Sequence, residues 1–298
     1  MLFHDTHVHL DILLEKLGIL PDIRESSEFQ IDELLQNTTK ISEINLKIAE
    51  LLENHDFVIH STVLTENYLL VSNLFKNEEK IRFLIGSHPE IVDENFNLKS
   101  YLTTQKEKLP FLFNPKPQTQ YFKSNRIVGI GECGLDYHYT QDKALINTQK
   151  VLFESQIQLA IENDLTLVIH CREAFSDLFS ILKNFPKIHG KFLVHCFTSN
   201  TEDLGQIQDL GGKAAFGGII TFGDSAEEIR QALKFCSLES FVFETDLPFL
   251  APKPMRGQSC FPNYIEFIGK KAAEIKNLTE QEIWKISLRN TQNLFPLL

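Results

Sequence analysis

The stretch Asp5-Thr6-His7-Val8-His9 stands almost at the amino terminus, and Leu2 to His9 reads as a β-strand. Side chains alternate across a strand, so His7 and His9 are expected to point the same way and grip one metal ion. Imidazole nitrogen suits zinc and other divalent transition metals, but two such ligands leave a site incomplete. The remaining donors have to come from further along the chain.

Outward from this strand, short β-rich runs alternate with helical stretches, the pattern of a parallel sheet with crossover helices. The runs are Leu2 to His9, Phe57 to Val63, Ile81 to His88, Ile127 to Glu132, Thr166 to Cys171, Lys191 to Cys196, Lys213 to Ile219 and Phe241 to Asp246. Between them, Ile41, Ile44, Ile48, Leu51 and Leu52 share one helical face, and Val151, Leu152, Ile157, Leu159 and Ile161 do so more loosely. Eight βα units predict an α/β fold closed as a TIM barrel, with an open doubly wound sheet as the competing architecture. No GxGxxG follows the first strand, so nothing supports the dinucleotide site of that competitor. No linker or low-complexity tract divides the chain, and residues 1–298 read as one domain.

Composition is consistent with this. Of 298 residues, 43% are hydrophobic and 23% charged, as in a folded, water-soluble enzyme. No apolar run reaches the ~18 residues of a membrane span, and Met1-Leu2-Phe3-His4-Asp5 lacks a cationic start with an apolar signal core, which predicts a cytoplasmic protein. Five cysteines, an odd number, argue for reduced thiols rather than a disulfide framework. The formal charge of -11 opposes a nonspecific nucleic-acid coat, yet bound divalent ions would dominate the electrostatics of their own site. Neither a membrane nor an obligate protein partner is indicated.

The strand ends carry the chemistry. His7 and His9 close the first strand, Glu132 the fourth, His170 the fifth, His195 the sixth and Asp246 the eighth. In a barrel these six side chains converge on one mouth, since catalytic groups of that fold stand at the carboxyl ends of its strands. Each alone reads equally well as a hydrogen-bonded core group, but their shared position breaks that reading. Their number exceeds one tetrahedral zinc site, so two ions sharing a carboxylate is the economical arrangement, with Glu132 as the bridge.

Five motifs in order carry a resemblance. Asp5-Thr6-His7-Val8-His9-Leu10-Asp11, Gly131-Glu132-Cys133-Gly134-Leu135-Asp136-Tyr137, Val168-Ile169-His170-Cys171-Arg172, His195-Cys196-Phe197 and Glu244-Thr245-Asp246 with Pro248 resemble the TatD family of metal-dependent deoxyribonucleases. Ser87-His88-Pro89, Arg256-Gly257 and Arg289-Asn290 with Leu294-Phe295 fit as well. The resemblance implies an amidohydrolase-like (β/α) barrel with two divalent cations, magnesium, manganese or zinc. It implies one cation on His7, His9, Glu132 and Asp246, and the other on Glu132, His170 and His195. The implied reaction is hydrolysis of a DNA phosphodiester by activated water, with Glu132 and Asp246 as the catalytic carboxylates and Asp246 orienting the water and taking its proton.

Other residues have weaker assignments. His88 fits a substrate contact or a conformational turn before proline. Arg172 fits a phosphate contact, with a structural ion pair to a helix-end carboxylate preferred. Asp136 and Tyr137 follow Glu132 in a loop where a carboxylate fits either support of ligand geometry from behind or closure of a turn, with the turn preferred, and Asp5 fits such support likewise. His4, His55, His60, His138 and His189 lack motif support and read as surface or packing residues. Cys133, Cys171 and Cys196 each follow a ligand, so alternation turns them away from the mouth.

The chain also departs from the family pattern. The segment from Asp11 to Asp56 is long, with Leu17-Gly18-Ile19-Leu20-Pro21 as an extra turn placed to reshape or cover the mouth. Lys106 to Tyr121 is extended, with Pro110, Pro115 and Pro117. Where the family carries Asn-Glu-Pro after Arg-Gly, this chain reads Cys260-Phe261-Pro262, which changes the expected substrate contacts. Two alternatives to a deoxyribonuclease stand on the same barrel: an amide or ester hydrolase, and a metal-holding, non-catalytic binding protein. Keeping all six ligands argues against the second.

Overall fold

Eight parallel strands form one sheet in chain order: β1 (Phe3–Val8), β2 (His55–Ser61), β3 (Ile81–Ile85), β4 (Ile127–Asp136), β5 (Thr166–Arg172), β6 (Phe192–Val194), β7 (Lys213–Phe216) and β8 (Phe241–Phe243). The computed structural model describes residues 2–23, 33–65, 67–113 and 126–295. The sheet curls until its edges meet. Val8 bridges Leu247 in parallel, the His9 N–H donates to the Leu247 carbonyl at 2.9 Å, and the Asp246 N–H donates to that of His7 at 3.0 Å. This is the closed α/β TIM barrel that the repeated βα pattern predicts.

The main helices are α1 (Leu10–Lys16), α2 (Thr38–Leu51), α3 (Asn67–Leu74), α4 (Leu98–Phe113), α5 (Lys143–Asn163), α6 (Phe175–Leu182), α7 (Thr201–Asp209), α8 (Glu227–Phe235), α9 (Ile265–Lys276) and α10 (Glu280–Leu294). Their starts are written locally. Asp142 accepts from Ala144 and Leu145 N–H at the head of α5, Asn200 caps α7, and Thr279 with Glu282 forms a capping box on α10. On α2, Ile44, Ile48 and the following Leu52 are buried, as the heptad-like spacing predicts. On α5 the predicted face is partly wrong: Val151 is exposed, and the buried side includes Gln149 and Gln156.

Two apolar layers result. The larger packs helices on the outside of the sheet, with Ile85, Leu167, Phe153, Ile157 and Ile268 among its members. The smaller fills the barrel, taking Phe57 and Ile59 from β2, Leu84, Val128, Val168, Leu193, Ala215 and Val242 from β3 to β8, and Leu294 and Phe295 from the end of α10. Leu294 and Phe295 therefore stopper the amino-terminal end of the barrel, where the Thr166 hydroxyl donates to the Leu294 carbonyl. A fully buried Phe contributes roughly 1.5–3 kcal/mol.

Strand ends differ from the predicted ones in a way that matters. β4 continues past Glu132 to Asp136, whereas β6 and β8 stop before His195 and Asp246, and β3 stops before His88. β1 and β4 are also bulged. Three residues from Asp5 to Val8 span two on β2, and three from Ile130 to Cys133 span two on β5. A bulge re-aims the side chains it carries, and these two carry His7 and Glu132.

The segment after Asp11 begins as α1, which sets Ile12 into the mouth, then turns at Gly18 (φ 68) and buries Leu20 and Ile23 in the core. Its continuation over 24–32 lies outside the described residues. Lys106 to Tyr121 runs into α4 as far as residue 113, and its remainder likewise lies outside them. Among the described residues no helix is long and apolar enough to cross a membrane.

Candidate metal centre

Glu132 is the hub. It sits on the bulge of β4 between Gly131 and Gly134, where the two strands approach so closely that a Cβ on Gly134 would lie 2.0 Å from the His170 carbonyl oxygen. Only glycine fits there, and the approach swings the Glu132 carboxylate over the barrel axis. Its two oxygens face different partners. Oε2 lies 3.2 Å from His7 Nε2 and 3.7 Å from His9 Nε2. Oε1 lies 2.9 Å from both His170 Nδ1 and His195 Nε2, and 3.4 Å from His88 Nε2. Asp246 Oδ1 completes the first set at 3.6 Å from His9 Nε2.

All six predicted strand-end residues thus meet at one mouth. His9 reaches it differently from the simple alternation: it lies just past β1, as the residue that caps α1. Asp246 (φ 56) and Cys196 (φ 45) adopt left-handed backbone beside it. Such conformations in non-glycine residues are costly and persist only where surrounding structure holds them.

Three of the four imidazoles face a second polar group, whereas His7 Nδ1 is buried without a hydrogen-bond partner among the described residues. His9 Nδ1 donates to the Ser61 carbonyl at 3.1 Å, which leaves Nε2 as a lone pair toward the mouth. His195 Nδ1 faces Glu244 Oε1 at 3.2 Å, and Glu244 also accepts from the Cys196 N–H at 2.5 Å. His170 Nε2 lies 2.9 Å from Asp136 Oδ2. Asp136 does close the expected turn, by accepting from His138 N–H, but it also orients His170. Glu244 was not singled out by the sequence reading, although it stands within the Glu244-Thr245-Asp246 motif; nothing in a strand's alternation marks it as facing a ligand.

Two glutamines hold the loops that bring these partners in. Gln149 accepts from Asp136 N–H at 2.9 Å and donates to its carbonyl at 3.0 Å; Gln156 does the same for Ser87, at 2.8 and 3.1 Å. Both project from α5 and replace the strand neighbour that a loop lacks. They account for the buried polar side of that helix.

The donor set fits a divalent cation. The His9 Nε2 lone pair points at the oxygens of Asp246 and Glu132 and at His7 Nε2, 3.3 Å away, an arrangement that is repulsive unless positive charge lies between. Three groups bring ligand atoms within 4.8 Å of one another: His7, His9 and Asp246; His88, Glu132 and His170; and His7, His195 and Glu244. Electrostatics agree. Burial pushes the Glu132 carboxyl up, but the imidazoles of His195, His88 and His7 outweigh it and hold it well below its ordinary range. Burial pulls His170 down, but Asp136 and Glu132 outweigh it and raise it to about 9. The carboxylates draw positive charge into the mouth, as imidazolium protons or as a metal.

Several predicted roles are corrected. Asp5 touches no ligand side chain among its hydrogen bonds; it accepts from the N–H of His7 and from the N–H and hydroxyl of Thr245, clamping β1 to the chain beyond β8. Arg172 lines the mouth, but its partner is the ring and hydroxyl of Tyr139 rather than a helix-end carboxylate. Cys133 is buried against the Val168 carbonyl, while Cys171 and Cys196 line the mouth instead of turning from it. Burial raises both of those thiols. As expected for residues without motif support, His138 is exposed and pairs with Glu173, and His4, His55 and His60 are buried packing residues. Cys260 is buried and donates its N–H to the Pro248 carbonyl, which ties the departing loop to the segment after Asp246.

A closed barrel with histidines and carboxylates gathered at the carboxyl ends of its strands is a TIM barrel with a candidate metal site at its mouth. The sequence model of TatD related DNase matches residues 4–296, and the chain belongs to that family. It is 36% identical over 170 residues to YabD of Bacillus subtilis, described as an uncharacterized metal-dependent hydrolase, a match covering 57% of this chain and 66% of that relative. BU355 of Buchnera aphidicola, described likewise, is 27% identical over 295 residues, or 99% of each chain. The crystal structure of YJJV, a TatD homolog from Escherichia coli, superposes with a TM-score of 0.73 at 23% identity, covering 99% of this chain and 98% of that one.

Proposed function

We propose that the protein is a divalent-metal-dependent hydrolase that cleaves DNA phosphodiester bonds at a binuclear centre. The observation that carries this reading is the division of Glu132: one oxygen faces His7 and His9, the other His170 and His195. His7, His9, Glu132 and Asp246 would hold one cation, and Glu132, His170 and His195 the other. When bound, magnesium, manganese or zinc at these positions supplies an acidified water and charge stabilisation for the attacking and leaving oxygens.

The remaining work belongs to the chain. The Asp246 carboxylate, beside His9, orients the attacking water and accepts its proton. His88 accepts from the Glu90 N–H at Nδ1, so its Nε2 carries the proton and can donate to a non-bridging phosphate oxygen. Arg172, at the rim, offers a second donor to the phosphate. Ile12, Val63 and Ile219 wall the mouth with apolar surface and limit water around these groups.

A second reading, an ester or amide hydrolase, is favoured by the net charge of -11 and by Glu90 at the rim, both of which disfavour a polyanion. Hydrolysis of single-stranded DNA and of a panel of neutral esters, each with magnesium, manganese or zinc, separates the two. Glu132→Ala is expected to lose at least about 1,000-fold in rate, since both donor sets share its carboxylate. Equal nucleotide release by wild type and variant under every metal overturns the mechanism.

A further inference from the structure

Two exposed aromatic rings flank the mouth, and the reaction chemistry has no use for either. Phe249 follows β8, lines the mouth cavity of about 620 Å³ and is 41% exposed. Its ring meets that of His9 edge-on at 6.0 Å, and the Lys16 ammonium lies 4.7 Å from its centroid. Tyr139 follows β4, is 69% exposed, and carries the Arg172 guanidinium 5.2 Å from its centroid. It lines a second cavity of about 600 Å³ that shares Glu90 and Asp136 with the mouth. β4 and β8 stand half a turn apart in the eight-stranded ring, so Phe249 and Tyr139 follow strands on opposite sides of the mouth.

An exposed ring paired with a cation, twice, is the pattern of single-strand binding, in which bases stack on the ring and the cation meets the backbone. Charge sets the division of labour. Glu90, Asp93 and Glu94 along the second cavity disfavour a run of phosphates there, leaving stacking as the attraction on that side.

We propose that Phe249 and Tyr139 are nucleobase platforms on opposite sides of the mouth, so that the bases flanking the scissile phosphate are held while that phosphate lies over Glu132. This rests on the phosphodiesterase reading above. Stacking tolerates every base, so it gives affinity without sequence preference.

The test compares cleavage of an oligodeoxynucleotide with that of its twin carrying abasic residues on both sides of one linkage. Wild type is expected to favour the base-bearing strand roughly tenfold to a hundredfold in kcat/KM, mostly through KM. Phe249→Leu and Tyr139→Leu should each erase part of that preference while leaving the abasic twin unchanged. A preference that survives both substitutions overturns the proposal, as does an equal loss on both strands, which marks a structural role. Failure of wild type to cleave either strand under any metal overturns the phosphodiesterase reading instead. Binding of the same two strands by fluorescence anisotropy then decides the platforms separately: equal affinity for both removes them.

Discussion

β1 and the residue after it bring histidines to both ends of the barrel, and His4 and His9 are treated oppositely. At the closed end His4 lies against Trp284 and Phe57 and shares a hydrogen bond with Ser287, while His55 stands beside Phe3. Burial, and then their mutual charge, pushes His4 down to about 3; burial, and then Lys80, pushes His55 down to about 4. At the mouth, burial also pulls His9 and His195 down, yet Asp246, Glu132 and Glu244 outweigh it and both are raised, whereas burial and then the His195 imidazole keep His7 lowered. Burial is common to both ends. For His9 and His195 the facing carboxylates make the difference, and they set these two apart from packing residues as candidate metal donors.

The matched pair His9→Gln and His4→Gln tests this most severely. His9→Gln should lose at least about 1,000-fold in metal-supported hydrolysis and most of the thermal stabilisation that added metal confers, which for a site loaded at 100 times its Kd is about 2.7 kcal/mol. His4→Gln should keep both, read as metal content, rate and melting temperature with and without chelator. A His4 variant that sheds metal as readily as the His9 variant breaks the comparison.

Next come the residues that aim the ligands. Asp136→Asn should lower cation affinity at the His170 side by about 10- to 100-fold while the His7 and His9 side keeps its cation, seen as a drop in bound-metal stoichiometry. Glu244→Gln should act similarly through His195. Loss of both cations from Asp136→Asn would show that the two sides are one cooperative unit.

A smaller effect is expected on α5. Gln156→Leu leaves the Ser87 N–H and carbonyl unpaired, a loss of about 1–3 kcal/mol for each buried group in chemical denaturation. Metal content should persist, because Gln156 meets the Ser87 turn rather than a proposed ligand.

The smallest effect is acid stability at the closed end. The folded protein keeps His4 and His55 neutral, whereas the unfolded chain binds their protons near pH 6.5. Their contribution is therefore complete above pH 6.5 and is lost as pH falls from there toward 3–4. His55→Phe should flatten that part of the stability profile relative to wild type. An unchanged slope between pH 6.5 and 4 would mean that His55 is not held neutral.

Much of this was legible in the chain because the signals are local. Alternation and βα spacing predict eight strands, and the polar residues at their ends, from His7 to Asp246, are the ones that meet. The family membership that five ordered motifs suggest is shown by the match over residues 4–296. The helix face of α5 misled for a physical reason: Gln149 and Gln156 are buried by hydrogen bonds to loops remote in sequence, and hydrophobic periodicity does not register such partners.

The sequence by itself determined the barrel, where its strands lie along the chain and which polar residues gather at its mouth, since period, turn chemistry and residue type are properties of neighbours along the chain. Tertiary structure alone decided how those donors face one another. The bulges at His7 and Glu132, the clamp of Asp5 on Thr245, the aim of His170 by Asp136 and of His195 by Glu244, and the open rings of Phe249 and Tyr139 arise only when distant strands and loops come together. Contact across the barrel, which no spacing along the chain encodes, sets those geometries.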